Sequence, residues 1–219
     1  MNSPLIQLLV LAGIAVFLIL RLRNVLGTRE GFEKPPASEL PGTKPARPDF
    51  EVIEGGPDRD IIDHVPEGSP MAEDLAAMKR VEPSFSVSEF IGGARGAYEM
   101  IVMGFERGEL TALEPYLAED VFQTFVDVVA HREDQGLTIE ADFIGVRDMS
   151  VGETRFDKDT NLAEITMRFT GELTSVVKNS DGDVIEGSPT AIKRQKDSWT
   201  FARTMGSDDP NWLLVATDG

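Results

Sequence analysis

Along the chain the hydrophobic pattern changes character three times. From Leu5 to Leu20 it is apolar almost without interruption, with Gln7 the one clearly polar side chain. At ~1.5 Å per residue this run spans roughly 24 Å of a ~30 Å hydrocarbon core. Leu22, Val25 and Leu26 extend it, while Arg21 and Arg23 reach toward the headgroups. The pattern predicts one transmembrane helix in residues 1–26, carried by Leu5, Leu8, Leu11, Phe17 and Leu20 and closed by Arg21 and Arg23. Positive charge follows the run, at Arg21, Arg23 and Arg29, instead of preceding it. That order argues against a cleaved signal peptide and sets the C-terminal side in the cytoplasm. A buried core helix is disfavoured, because the polar stretch that follows supplies no neighbouring helix to cover it.

From residue 27 to 68 the periodicity disappears. Eight of the thirteen prolines fall between Pro35 and Pro70, acidic groups outnumber basic ones, and large apolar residues are sparse. Such a stretch cannot offset its ordering entropy, so an extended, mostly disordered tether is expected. Its two apolar islands, "FEVIEG" and "DIIDHV", read as incidental apolar residues of a linker, with docking on a partner as the alternative. Residues 69–84 then open with "SPMAEDLAAMKRV", where Ser69 can cap, Pro70 suits the first helical position and Glu73 and Asp74 favour the positive end of the dipole. Met71, Leu75, Met78 and Val81 form one stripe of a short helix, expected to pack on the following domain because the basic face of an interfacial helix is missing.

The third change, at Phe85, begins a globular pattern. Phe90, Ala94, Tyr98, Ile101, Val102 and Phe105 recur at three- and four-residue spacing and define a helix with Ser88 as its expected cap and Gly108 as its stop. "GELTALEPYL" is a short turn-like helix interrupted at Pro115. A second long helix follows, with Glu119 and Asp120 in its first turn, His131 and Arg132 near its end and a buried face of Val121, Phe122, Phe125, Val128 and Val129.

After Gly136 the period becomes two. Leu137, Ile139, Ala141 and Phe143 alternate with polar residues up to a bend at Gly145, and Ala163, Ile165, Met167 and Phe169 do the same. "SDGD" at 180–183 is a hairpin turn, followed by strands through "TAIKRQ" and "SWTFARTM", the latter with Trp199 and Phe201 on one face. Asp209–Pro210–Asn211 reads as a turn, so "WLLVAT" becomes a closing strand instead of a floating tail. Helices first and antiparallel strands after predict an α+β domain over 85–219, with helices on one face of a curved sheet.

Charge narrows the functional classes. The formal net charge is -17, of which residues 85–219 contribute -13. That field disfavours nucleic acid. The absence of cysteine removes disulfides, thiolate metal sites and thiol nucleophiles. There is no metal-binding His pair, nucleophile elbow or phosphate loop, since the glycines of "FIGGARGA" lie inside a predicted helix. An isomerase-like site would need a carboxylate base and a Tyr or protonated acid as donor; Tyr98 and Tyr116 are the two tyrosines, and Tyr98 with Asp142 is the pair to test. Glu140 and Asp142 fall on the polar face of their strand, His64 lies in the tether, and His131 is explained by its helix end. The reading is therefore a non-catalytic protein without catalytic residues, metal or cofactor. The basic run "KRQK" at 193–196 fits a solvated edge strand, with a lipid-facing patch as the alternative.

"FIGGARGAYEMIVMGFERGEL", "LAEDVFQTFVDVVAHREDQG", "SWTFAR" and above all "DPNWLLVAT" resemble the C-terminal domain of the mitochondrial TIM forty-four adaptor family. They are closer still to its alphaproteobacterial relatives, the TimA adaptors. The resemblance covers most of residues 71–219. It implies a cone-shaped fold like nuclear transport factor two, in which a bent sheet wraps around helices and leaves an apolar cavity or groove. The mitochondrial member is a peripheral protein that binds cardiolipin-containing inner membrane and tethers the matrix heat-shock chaperone to the import channel. Its chaperone-binding region has no counterpart in this sequence, where the expected transmembrane helix stands in its place. The expected groove lining is Phe90, Tyr98, Ile101 and Phe105 from the first long helix, Phe125 from the second, and Trp199, Phe201, Trp212 and Leu214 from the last strands. The implied function is a single-pass bacterial inner-membrane adaptor with a cytoplasmic domain that binds a protein partner or a lipid, with a link to protein translocation or membrane-complex assembly. A binder of a small apolar ligand and a cone-fold isomerase or dehydratase are the alternatives.

Overall fold

The computed structural model of the chain describes residues 56–218. The expected transmembrane anchor and the tether up to residue 55, including "FEVIEG", lie outside them. Among the described residues no helix is long and apolar enough to cross a membrane.

In chain order the elements are α1 (Arg59–Ile62), α2 (Pro70–Val81), α3 (Val87–Arg107), two 3-10 turns (Leu110–Ala112 and Glu114–Tyr116), α4 (Glu119–Asp134), β1 (Thr138–Phe156), β2 (Leu162–Lys178), β3 (Val184–Thr204) and β4 (Leu213–Asp218). The strands form one antiparallel sheet in the order β1-β2-β3-β4. Helices α2 and α3 pack on β1, so the domain is α+β. Period two then assigns the faces. Ala163, Ile165, Met167 and Phe169 of β2 are buried beside Trp199 and Phe201 of β3, while the outward rung of Ser150, Arg168 and Ser198 is polar. Such one-sided cover is ordinary for an antiparallel sheet.

Helix ends follow local chemistry. Ser69 Oγ accepts from Ala72 N at 3.2 Å and Pro70 occupies the first turn of α2. The cap of α3 is Ser86 and not the expected Ser88. Ser88 lies inside the helix, and its hydroxyl donates instead to Asp60 Oδ1 at 2.6 Å. Gly108 ends α3 at φ 73°, a left-handed conformation that favours glycine. In α4 the expected buried stripe is only half covered: Val121 and Val129 are buried, but Val128 is 39% exposed. This helix lies against β4 and the first 3-10 turn, and among the described residues no element forms a layer over its far side.

Two further corrections concern boundaries. The island "DIIDHV" is not incidental, because Ile61 and Val65 are buried in the core. Asp60 fastens the segment to the first turn of α3, accepting from Val87 N at 2.8 Å and Ser88 N at 2.9 Å, with Lys79 at 2.8 Å. Ordered chain therefore starts within the residues expected to be tether. "TAIKRQ" and "SWTFARTM" are one 21-residue strand, interrupted where Leu173 pairs with Lys193 but Ser175 pairs with Ser188, so that Pro189–Ile192 bulge out. Finally, β4 pairs with β3 over Ser198–Ala202, leaving Lys193, Arg194 and Lys196 on an exposed edge as anticipated.

Candidate functional site

An apolar groove of about 440 Å³ opens where α3 begins. Phe85, Phe90, Phe201 and Trp212 line it together with Gly93 and Ala97 of α3 and with Tyr116. The rings interlock: Trp212 lies 4.7 Å from Phe90 and 5.9 Å from Phe85, and Phe90 meets Phe201 edge-on at 6.0 Å.

Backbone chemistry holds Trp212 there. Asp209 Oδ1 accepts from Asn211 N at 2.9 Å in a local turn around Pro210. Ala118 N then donates to Leu214 O at 2.9 Å, fixing the start of β4. Arg203 staples the same loop, donating from Nε to Asp209 O at 3.0 Å and from Nη2 to both Glu82 oxygens at 3.0 and 2.8 Å. Burial raises the Glu82 carboxyl, but the Gly206 N–H and the Arg203 guanidinium outweigh it and hold the group below the usual carboxylate range. The charged pair in the groove lining, Glu82 and Arg203, is thus satisfied within the fold.

The nine expected lining residues divide into three groups. Phe90, Phe201 and Trp212 line the groove. Tyr98, Ile101, Trp199 and Leu214 are buried in the closed core. Phe105 and Phe125 pair at 4.6 Å elsewhere, near the C-terminal end of α3, where the Arg132 guanidinium lies 4.3 Å over the Phe105 ring. Sequence reasoning missed Phe85, Gly93, Ala97 and Arg203. For Arg203 a signal existed: in "SWTFAR" period two puts Trp199, Phe201 and Arg203 on one face.

Tyr98 stacks on Phe169 at 4.3 Å, and its hydroxyl donates to Asp197. Gln195 Nε2 donates to Asp197 Oδ2 at 3.0 Å and to the Tyr98 oxygen at 3.3 Å. A Cβ on Gly171 would lie 2.5 Å from that oxygen, so glycine makes the room. Burial first, and the Asp197 hydrogen bond second, push the Tyr98 phenol upward, away from proton exchange near neutrality. Asp142 is exposed, and strand alternation turns it away from Phe143, the ring that Tyr98 touches at 6.1 Å. The two candidates for an isomerase-like pair are therefore not brought together.

A family model described as a Tim44-like domain matches residues 71–219, well over half of the chain. The chain belongs to the Tim44-like family. Among curated proteins, the mitochondrial import inner membrane translocase subunit TIM44 of Homo sapiens is 22% identical over 148 residues. That alignment covers 66% of this chain and 32% of the human protein, so the chain spans about a third of its relative's length. Among solved structures, the intermembrane space region of the chloroplast protein ARC6 is similar at 12% identity, with a TM-score of 0.36 over 57% of this chain and 94% of that one. The groove lies wholly within the Tim44-like residues, whereas α1 precedes them.

Proposed function

We propose that this Tim44-like chain is a non-catalytic, membrane-anchored adaptor that docks a partner polypeptide in the groove between Phe85, Phe90 and Trp212. In this reading residues 1–26 are a single transmembrane anchor in a bacterial inner membrane, the following residues are a tether that ends at α1, and the domain works in the cytoplasm as a nuclear-transport-factor-two-like cone. The observation that carries it is the groove itself: open, lined by aromatic rings, with its charged pair Glu82–Arg203 already satisfied by the fold. The human relative supports the adaptor class, being named as a translocase subunit of an inner membrane. Protein translocation or assembly of a membrane complex is the corresponding process.

The test is site-specific photo-crosslinking from position 116 in the full chain in its native membrane, read by mass spectrometry. A reproducible partner polypeptide is expected, and Trp212→Ala should reduce its yield by roughly 30-fold, the loss typical of a buried aromatic anchor. Far-UV circular dichroism checks that the variant is folded. A partner yield that is indifferent to Trp212→Ala and to Phe90→Ala would sink the docking assignment, and crosslinks to lipid alone would replace it by lipid binding.

A further inference from the structure

We propose that the open edge of β3 at Lys193–Asp197 docks an acidic, extended segment of a partner protein, which joins the sheet as a further strand in line with β4. None of these residues lines the groove, so the two surfaces are separable by experiment. β3 runs for 21 residues, but β4 covers only its Ser198–Ala202 part. Before that part, β2 pairs with one side of the strand, and among the described residues no strand pairs with the other. Its outward N–H and C=O groups are a template for a main-chain ladder. The register is unbroken from Leu173↔Lys193 to Phe169↔Asp197, and the Pro189–Ile192 bulge bounds it. This open stretch is about the length of an ordinary strand.

Side chains set the sign of the partner. Lys193, Arg194 and Lys196 are all exposed, in a domain whose net charge is -13. Period two places Arg194 and Lys196 on the outer face of the sheet together with Arg168 of β2. Where β4 ends, that face holds a notch of about 420 Å³ lined by Arg168, Lys196, Ser150, Ser198, Asp148 and Asp218. The nearby carboxylates leave these cations available. Glu172 is shared by Arg147 at 3.3 Å and Arg194 at 2.7 Å, while Asp197 turns to the inner face and accepts from Tyr98 and Gln195. Asp148 and Asp218 come from β1 and β4 and, like Lys193, Lys196 and Arg168, form no ion pair among the described residues. Glu186 lies beyond the bulge. Ile192, next to Lys193, is 57% exposed and offers the incoming segment an apolar contact. A second copy of this edge is the wrong occupant, because an antiparallel copy centred on Gln195 sets Arg194 opposite Lys196 and like charges repel. An acidic strand turns the same contacts attractive.

The test uses the full chain in phosphatidylcholine nanodiscs, with empty discs as the blank. Three labelled peptides alternate valine and threonine with a charged residue: one carries glutamate, one lysine, and one is the glutamate peptide N-methylated at every second backbone amide. Fluorescence anisotropy should show the glutamate peptide binding, and weakening as salt shortens the Debye length from about 10 Å at 0.1 M. The lysine peptide should not bind, and the N-methylated one should be weaker by about tenfold or more, having lost its ladder donors. Hydrogen exchange should slow at Lys193–Asp197 when the glutamate peptide is bound. Lys193→Glu combined with Lys196→Glu should lower glutamate-peptide affinity about tenfold or more and let the lysine peptide bind, a gain that misfolding cannot produce. Trp212→Ala, in the groove, should leave the peptide's affinity unchanged. Equal binding of the glutamate and lysine peptides would overturn the acidic class. Equal binding of the N-methylated peptide would overturn strand addition. Loss of binding in a folded Trp212→Ala variant would move the peptide to the groove and overturn the placement on β3. Binding of no peptide would overturn the site, whether or not phosphatidylglycerol vesicles bind in its place, and a partner crosslinked from position 116 would still leave the groove reading standing.

Discussion

The two faces of α3 obey opposite rules although they share one backbone. Its inner face, Phe90, Ala94, Tyr98, Ile101 and Val102, is buried in the core. Its outer face carries three glycines in open space, exposed Glu89, Glu99 and Arg107, and Met100 at 36% exposure. A helix chosen for stability alone would put alanine, glutamate and lysine where the glycines stand. The inner face fixes the fold, and the glycines of the outer face are not required by packing among the described residues. The largest effect that probes this contrast is therefore expected from the inner face. Ile101→Ala should lower the unfolding free energy by about 3 kcal/mol, within the range for truncating a fully buried side chain. Urea titration reads that loss. If it were under about 1 kcal/mol, the well-packed inner face would be the wrong description.

How far the pattern could be read from sequence follows the same division. The inner face was legible because burial imposes a period: every residue assigned to it, apart from the half-buried Phe105 near the helix end, lies in the core. Strand alternation was legible for the same reason, down to Trp199 and Phe201 on one face. The groove was legible only in part. Periodicity says that Phe90, Tyr98 and Ile101 point inward, but it cannot say that the sheet seals over Tyr98 and Ile101 while the Asp209–Trp212 turn leaves Phe90 beside an opening. Long-range closure of that kind depends on where β4 stops, and β4 is paired over a short stretch of β3. The "DIIDHV" island was misjudged because its partners, Lys79 and the first turn of α3, are some twenty to thirty residues away in sequence.

That island gives the next prediction, at the end of α3 where the two faces begin. Burial alone would raise the Asp60 carboxyl, but Lys79, the Ser88 hydroxyl and the Ser88 and Val87 N–H groups overcome it and hold the group far below the usual range. A carboxyl depressed by folding contributes stability that is complete above its unfolded pKa of about 3.9 and is lost as the pH falls toward the folded value. Asp60→Asn removes the charge opposite Lys79 and the helix N-terminus and should cost about 1 kcal/mol at pH 7. The gap between parent and variant, followed by chemical denaturation, should stay constant from pH 8 to 5 and close below about pH 4. A constant gap down to pH 3 would show that shape, and not charge, fastens α1 to α3.

The smallest effect should have the opposite sign and come from the outer face. Gly92 lies on the rim of that face and, unlike Gly93, is not part of the groove lining. Replacing it with alanine adds one methyl group into open space, restricts the unfolded chain and favours the helix, so the protein should gain up to about 1 kcal/mol. The same substitution on the inner side of the domain, Gly171→Ala, would drive a Cβ to 2.5 Å from the Tyr98 oxygen and should be destabilising instead. A matched pair of thermal melts separates the two cases. Gain at position 92 and loss at position 171 would mean that glycine serves the fold at one site and something outside it at the other. Loss at both would mean that the outer glycines have a structural role within the domain, and the division between the two faces of α3 would fall.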